Sequence, residues 1–323
     1  MSEGITYTVV VPVRNEEEVL PECCRQLAEV MRSTGEPYEL LFVDDGSTDG
    51  TLLFLERLAE NEQAVRVIRL SRSFGHQIAL TAGIDRARGD AVVTIDADLQ
   101  DPPSAIPRMI SRWKEGADVV VARRTRRRGE RLAKRAGAYL FSRLLRRIAA
   151  VPIPVDTADF RLLDRKVCEW LRRIPERHRY LRGLVSWVGF TQAEVLYERQ
   201  GRFAGRPKYR LLASASLAVD AVTSFSTAPL RIALSVGILA IAAGLGFLVF
   251  ALVRGRVAGS FGGEWAVIAS VLVILNGTTL MLVGLLGAYV GRIFEEVKRR
   301  PLYVVQKLIG FKESERPEQP PMR

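Results

Sequence analysis

Two carboxylates one residue apart, Asp96 and Asp98, close the β-branched run Val92-Val-Thr-Ile95, and Gln100, Asp101 and the pair Pro102-Pro103 follow. A buried strand that ends this way delivers hard oxygen donors to one end of a sheet. Such donors suit Mg²⁺ or Mn²⁺, which needs only one or two carboxylates when it also holds substrate phosphates. Taken alone, D-x-D is a weak signal for a metal and more often a solvated turn, because Asp and Pro are ordinary loop formers. The weight of the motif depends on what the rest of the chain sets beside it.

The neighbouring stretches repeat one design. Residues 6–13 (TYTVVVPV) form a continuous apolar and β-branched run, as expected of a strand buried on both faces. Asn15 is placed to cap a helix whose first turn carries Glu16, Glu17 and Glu18, and that helix is expected to reach about Ser33. A second strand over 38–43 runs into Asp44-Asp45-Gly-Ser-Thr-Asp49, where Gly46 permits a tight turn and Ser47 or Asp49 can cap the next helix. A third over 65–70 leads to Ser71, Arg72 and His76, with a helix to about Ala87. A fifth over 118–122 ends in Arg123 and Arg124. Strands alternating with helices imply an α/β, Rossmann-like, mostly parallel sheet. Its carboxyl ends would collect Arg14, Asp44, Arg72, Asp96 and Asp98 in one crevice. Neither G-x-G-x-x-G after the first strand nor G-x-x-x-x-G-K-[ST] anywhere is present, so a dinucleotide site and a P-loop are poor fits.

Composition narrows the partners. The 323 residues carry 47 Lys and Arg against 36 Asp and Glu, a net charge of +11, which suits phosphorylated substrates, a membrane surface or nucleic acid. Three cysteines, two of them adjacent, imply no disulfide framework and fit a reducing compartment. No secretory signal pattern opens the chain. Residues 232–253 and 265–290 are 22 and 26 residues without a charge, each long enough to cross a bilayer. The second contains Gly277, Gly284 and Gly287, which pairs with Gly291 as G-x-x-x-G and permits close helix packing and a homo-oligomer. The short linker makes this a two-helix hairpin. Basic flanks at Arg206, Lys208, Arg210, Arg231, Arg292 and Lys298–Arg300 put both chain ends in the cytoplasm.

Between these halves, residues 123–147 hold 11 basic residues and one acid, Glu130, interleaved with Leu132, Tyr139, Leu140, Leu144 and Leu145. A basic amphipathic segment beside membrane spans points to a membrane surface or a phosphate-bearing lipid, with aromatics too sparse for nucleic acid. Residues 199–208 are rich in Arg, Gly and Lys. Residues 211–225 carry apolar groups at helical spacing, an amphipathic helix expected at the membrane surface. His178 is read as a binding or packing group. The tail from Glu313 is polar and proline-rich, and is expected to be disordered.

Taken in order, these stretches resemble family-2 glycosyltransferases of the polyprenyl-phosphate branch, the group of dolichyl-phosphate mannose synthases and bacterial undecaprenyl-phosphate glucosyltransferases. The residues that carry the resemblance are VVVPVRNEEEVL (10–20), FVDDGSTDGT (42–51), LSRSFGHQIALTAGIDRARGD (70–90), DADLQDPP (96–103), DTADFRLLDR (156–165), ERHRYLRGLVSWVGF (176–190) and RFAGRPKY (202–209). The resemblance implies a GT-A catalytic domain over 1–205 and an interfacial helix over 206–229. Two transmembrane helices (about 231–253 and 265–290) and a cytoplasmic tail over 292–323 would follow. It implies transfer of a sugar from a nucleotide sugar to a polyprenyl phosphate at the cytoplasmic membrane face, with Mg²⁺ or Mn²⁺. By motif, Pro12, Val13, Arg14 and Glu16 would line the base and ribose pocket, and Asp44 would contact the nucleoside. Arg72 belongs with the donor groups, and Asp96 would touch ribose or sugar. Asp98 and Gln100 would hold the metal, and Arg202 and Lys208 would cover the donor phosphates. Arg124 and Arg135 would grip the acceptor phosphate. Two positions depart from the family pattern: Pro207 stands where relatives have Ser, and Ala138 where some have a phosphate-contacting Ser.

Other readings make different demands. A processive polysaccharide synthase carries Q-x-x-R-W and more spanning helices, and neither is present. A non-catalytic membrane adaptor would bind nucleotide sugar without turnover. A nucleic-acid binder would show salt-sensitive binding with the hairpin dispensable.

Overall fold

A computed structural model describes residues 4–125, 157–177, 179–198, 239, 242, 246 and 264–312. Five strands lie where the apolar runs predict them: β1 (Tyr7–Val13), β2 (Tyr38–Asp44), β3 (Val65–Leu70), β4 (Ala91–Thr94) and β5 (Val119–Arg124). The helices between them are α1 (Leu20–Arg32), α2 (Thr51–Asn61), α3 (His76–Arg86) and, after a 3₁₀ turn at Pro103–Ala105, α4 (Ile106–Lys114). Three strands go beyond the sequence reading: β6 (Thr157–Asp164), β7 (Gln192–Tyr197) and β8 (Val305–Ile309). Helices α5 (Arg165–Arg173) and α6 (Leu181–Trp187) lie between β6 and β7, and α7 (Glu264–Val297) precedes β8.

All eight strands form one sheet in the order β7-β5-β6-β4-β1-β2-β3-β8. Four neighbour pairings are parallel and three antiparallel, so the sheet is mixed and mostly parallel. The chain winds outward from β1 through β2 to β3, then crosses back to lay β4 on the other side of β1. That reversal opens a crevice beyond the carboxyl ends of β1 and β4. Strand β1 is buried along its whole length, which is why its apolar residues run without alternation. Proline is tolerated at position 12 because the β1–β4 ladder stops at Val10, whose carbonyl takes Ile95 N–H at 3.1 Å. The missing N–H of Pro12 would point past the end of that ladder. Leu20, Leu27, Met31, Phe42, Leu55 and Phe160 are fully buried around the sheet, each contributing roughly 1.5–3 kcal/mol of transfer free energy.

Asn15 does not cap α1. The helix begins at Leu20 behind Val19, and no side chain caps it. Asn15 instead adopts φ 53°, and its side chain serves the loop after β2. The acidic run 16–18 turns with it, so the start of the helix moves downstream. At α2 the N-cap is Gly50 and no side chain caps it, so neither Ser47 nor Asp49 takes that position; Asp49, one residue earlier, accepts Thr51 N–H at 3.1 Å. All three cysteines are free and buried.

The chain divides into two units, Met1–Ser142 with Val151–Arg210 and Pro301–Arg323, and Arg143–Ala150 with Leu211–Arg300. In the second unit, α7 is a continuous 34-residue helix, extending seven residues beyond the expected span. Its stretch Leu275–Val297 is long and apolar enough to cross a membrane, with mean hydropathy 1.4. Met281, Val290, Ile293 and Val297 on it are more than half exposed. The first predicted span lies outside the described residues apart from positions 239, 242 and 246, which are helical. The described chain therefore holds one membrane-length helix where a hairpin is expected.

Candidate active site

The floor of the crevice is two loops zipped together. After β1, Asn15 N–H donates to Ser47 Oγ at 3.0 Å, and Asn15 Oδ1 accepts Thr48 N–H at 2.8 Å. Glu16 N–H donates to Thr51 Oγ1 at 2.9 Å, and Glu17 Oε2 accepts Gly50 N–H at 2.9 Å. Pro12 and Val13 are buried at this seam, while Arg14 is exposed. Short polar side chains thus satisfy the backbone donors that leave the strand ends.

Asp44 is fully buried at the end of β2. Its Oδ1 accepts Ser47 N–H at 3.0 Å, while Oδ2 is buried without a hydrogen-bond partner. Burial raises its pKa, against the pull of the Ser47 hydrogen bonds. Its neighbour Asp45 is a scaffold. It accepts Ser73 Oγ–H at 2.7 Å, Phe74 N–H at 2.6 Å and Gly75 N–H at 3.0 Å, and so holds the loop that starts α3. Gly46 makes that approach possible. It sits at φ +69°, and a Cβ there would lie 2.7 Å from Ser73 N. Arg72, on the loop after β3, is exposed, with its guanidinium 4.0 Å from the Phe74 ring centroid.

Asp96 and Asp98 follow β4, opposite the seam. Leu99 between Asp98 and Gln100 is buried in the left-handed region at φ 56°. A branched residue held there is strained, and the turn it makes sets the direction of the acids on either side. Asp98 accepts Gln100 N–H at 3.2 Å on Oδ1 and the Gln100 side-chain N–H at 2.7 Å on Oδ2. Gln100 therefore orients the Asp98 carboxylate, and its Oε1 is the atom a cation would take. Among the described residues no three His, Cys, Asp or Glu side chains gather to hold a metal alone. One carboxylate with one amide oxygen fits a divalent ion that completes its shell with substrate phosphate and water.

Sequence reasoning missed the group beside Asp96. His76, the first residue of α3, places Nε2 3.4 Å from Asp96 Oδ1 and 3.4 Å from Asp159 Oδ2. Asp159 on β6 is clamped by Arg182 of α6, with Nε 2.9 Å from Oδ1 and Nη2 3.1 Å from Oδ2, and takes Gln77 Nε2–H at 2.9 Å. Burial pushes the Asp159 carboxyl up, but the bonds to His76 and Arg182 outweigh it and hold the pKa far below the usual range. Burial pulls His76 down, and the Asp159 hydrogen bond with the charges of both acids more than reverses this, leaving its pKa raised. Burial pushes Asp96 up to about 6 despite His76, and the charges of Asp159, Asp101 and Asp98 add to it. Its side chain is still 36% exposed, enough to meet a ligand. The available signal was Asp159 itself, an acid inside an apolar run, which an apolar pattern alone does not register.

Arg124 ends β5 and is bound to Asp101 and Tyr197. The expected site residues thus divide by position. Pro12 and Val13 end β1 and Asp44 ends β2, Arg14, Glu16, Arg72, Asp96, Asp98 and Gln100 lie on the loops that follow β1, β3 and β4, and Arg124 lies at the same end of β5. Arg135, His178, Arg202, Lys208 and the departures at Ala138 and Pro207 lie outside the described residues, as does the interfacial helix.

Residues 8–171 match the model of Glycosyl transferase family 2. An uncharacterized glycosyltransferase, YkcC, of Bacillus subtilis (strain 168) is 47% identical over 96% of this chain and 96% of its own length. The SfII prophage-derived bactoprenol glucosyl transferase of Shigella flexneri is 38% identical over 93% of this chain and 97% of its own. Among solved structures, glucosyl-3-phosphoglycerate synthase from Mycobacterium tuberculosis, in complex with Mn²⁺, UDP and phosphoglyceric acid, is 22% identical. That match covers 68% of this chain and 78% of the other, with a TM-score of 0.48.

Proposed function

The chain belongs to glycosyl transferase family 2, and from that membership we propose that it transfers glucose from a nucleotide diphosphate sugar, UDP-glucose, to a polyprenyl phosphate, undecaprenyl phosphate, at the cytoplasmic face of the membrane. The observation that carries the reading is the pair Asp96 and Asp98 at the crevice where the sheet reverses, with the buried, unpartnered oxygen of Asp44 across the seam. The relatives that share more than nine-tenths of the chain and are named for bactoprenol glucosyl transfer support the acceptor. The apolar α7 supports a membrane site. A multi-pass anchor, and self-association through the Gly277–Gly291 stripe, belong to the same proposal.

In the reaction, an acceptor phosphate oxygen attacks the anomeric carbon. The bond from that carbon to the donor phosphate breaks, and its electron pair leaves on the nucleoside diphosphate. One displacement inverts the centre. The acceptor is already anionic, so no general base is required. Asp44 would accept an N–H of the base, with Pro12, Val13, Arg14 and Glu16 lining its pocket. Asp96, aligned by His76, would receive sugar or ribose hydroxyls. Asp98, oriented by Gln100, would hold Mg²⁺ or Mn²⁺, which when bound neutralises charge developing on the diphosphate. Arg72, Arg202 and Lys208 would face donor phosphates, and Arg124 and Arg135 the acceptor phosphate. The test is transfer from UDP-glucose to undecaprenyl phosphate by the full chain in lipid–detergent micelles. Glucosylated lipid is expected from the natural protein, and its absence with every nucleotide sugar would overturn the reading.

A further inference from the structure

Beneath the carboxylate turn lies a closed ring of three side chains. Arg124 Nε–H donates to Tyr197 Oη at 2.9 Å, and Nη2–H donates to Asp101 at 3.2 and 3.4 Å. Tyr197 O–H closes the ring by donating to Asp101 Oδ1. Asp101 is 1% exposed and Tyr197 3%, whereas the Arg124 side chain is 30% exposed. Nη1 takes no part in these bonds, so the guanidinium is held through Nε and Nη2 and keeps Nη1 for another partner.

The ring joins three parts of the chain. Asp101 directly follows Gln100, in the turn that presents Asp98. Arg124 and Tyr197 are register partners at the ends of β5 and β7. Just beyond, Thr125 N–H and Oγ1–H both donate to Tyr197 O, at 2.8 and 2.9 Å. Phe160 packs edge-on against the Tyr197 ring at 5.8 Å. The described ends of β5 and β7, at Thr125 and Tyr197, thus lie side by side at a point hung on Asp101. Burial raises the Tyr197 pKa and the Asp101 charge adds to it, which keeps the phenol a donor. Burial lowers the Arg124 pKa and Asp101 more than restores it, so the guanidinium stays charged. A buried carboxylate with one cationic and one neutral donor is satisfied, and losing either leaves it short of a partner.

We propose that Asp101 and Tyr197 are positioning residues that hold the Arg124 guanidinium with its Nη1 toward the acceptor phosphate, in register with the Asp98 turn. This rests on the polyprenyl-phosphate reading above. An arginine preordered by a carboxylate and a phenol meets an anion without first losing its rotamer freedom, so it contributes to acceptor binding and to its alignment.

The experiment measures KM for undecaprenyl phosphate, KM for UDP-glucose, kcat and the melting temperature of the full chain in lipid–detergent micelles. Tyr197→Phe keeps the ring against Phe160 and removes only the hydroxyl. It should raise the acceptor KM about tenfold and leave the donor KM within about twofold. Asp101→Asn should act in the same direction. In an Arg124→Gln background, Tyr197→Phe should change the acceptor KM no further, because the group it positions is gone. An active natural enzyme whose Tyr197→Phe variant changes both KM values equally, or only its melting temperature, would overturn this proposal alone. So would an additive double variant. An inactive natural enzyme would overturn the function and this proposal together.

Discussion

The two flanks of the crevice are held by different forces. On the β1–β2–β3 side, loops are tied by side chains to backbone donors across two seams, Asn15, Ser47, Thr51 and Glu17 between the loops after β1 and β2, and Asp45 between those after β2 and β3. On the β6–β5–β7 side, buried charges clasp partners from distant segments. Arg182 holds Asp159, and Asp101 holds Arg124 and Tyr197, the last 96 residues away. The first flank needs the correct turn chemistry. The second needs the whole sheet, because a buried carboxylate is tolerable only once its partners arrive. Breaking the second should therefore cost more folding free energy than breaking any one bond of the first.

The largest effect should fall between the flanks. Asp98→Ala should lower glucosyl transfer about 10³-fold by product formation, by loss of charge stabilisation in the reaction, with little change in melting. On the charged flank, Asp159→Asn should cost roughly 3 kcal/mol in denaturant unfolding at neutral pH, since Arg182 would lose its buried partner. The pH dependence gives a sharper reading. The folded pKa of Asp159 lies below its unfolded value, so its contribution is fully present above about pH 4 and is lost as pH falls below it. The Asn variant should flatten that acid limb, and an unchanged limb would place the stabilisation elsewhere. On the loop flank, Gly46→Ala should cost about 2 kcal/mol, because the added Cβ meets Ser73 N at 2.7 Å and φ is +69°. A smaller loss for Asp159→Asn than for Gly46→Ala would break the comparison. The smallest effect belongs to the outer edge beside β3, where Tyr303 Oη–H donates to Asp85 at 2.9 Å. Tyr303→Phe should cost about 1 kcal/mol and leave transfer unchanged.

The same contrast explains what could be read in advance. β1 to β5 were legible because parallel strands covered on both faces are apolar throughout. β6 was not, because Arg161, 5% exposed in its centre, interrupts the apolar run, and a charge there reads as surface until its partners are known. β8 is a five-residue edge strand with exposed Gln306 and Lys307, too short and polar to stand out. The cap assigned to Asn15 followed from local rules alone. It lost to tertiary bonds with Ser47 and Thr48, 32 and 33 residues away, which satisfy more of the seam than one helix cap would.

Sequence by itself determined the strand–helix alternation, the acids at the strand ends, the family and an apolar helix of membrane length, because periodicity, composition and motif order are local or cumulative properties. Tertiary structure alone decided which acids are scaffold and which face the crevice. Asp44 and Asp45 are adjacent, as are Gln100 and Asp101, and all four are buried; yet Asp45 and Asp101 are taken up by donors from distant segments, while Asp44 keeps one oxygen without a partner and Gln100 turns to Asp98. The reason is physical: a carboxylate's role depends on which donors reach it, and here those donors come from Ser73, Arg124, Arg182 and Tyr197, which only the folded sheet brings within reach.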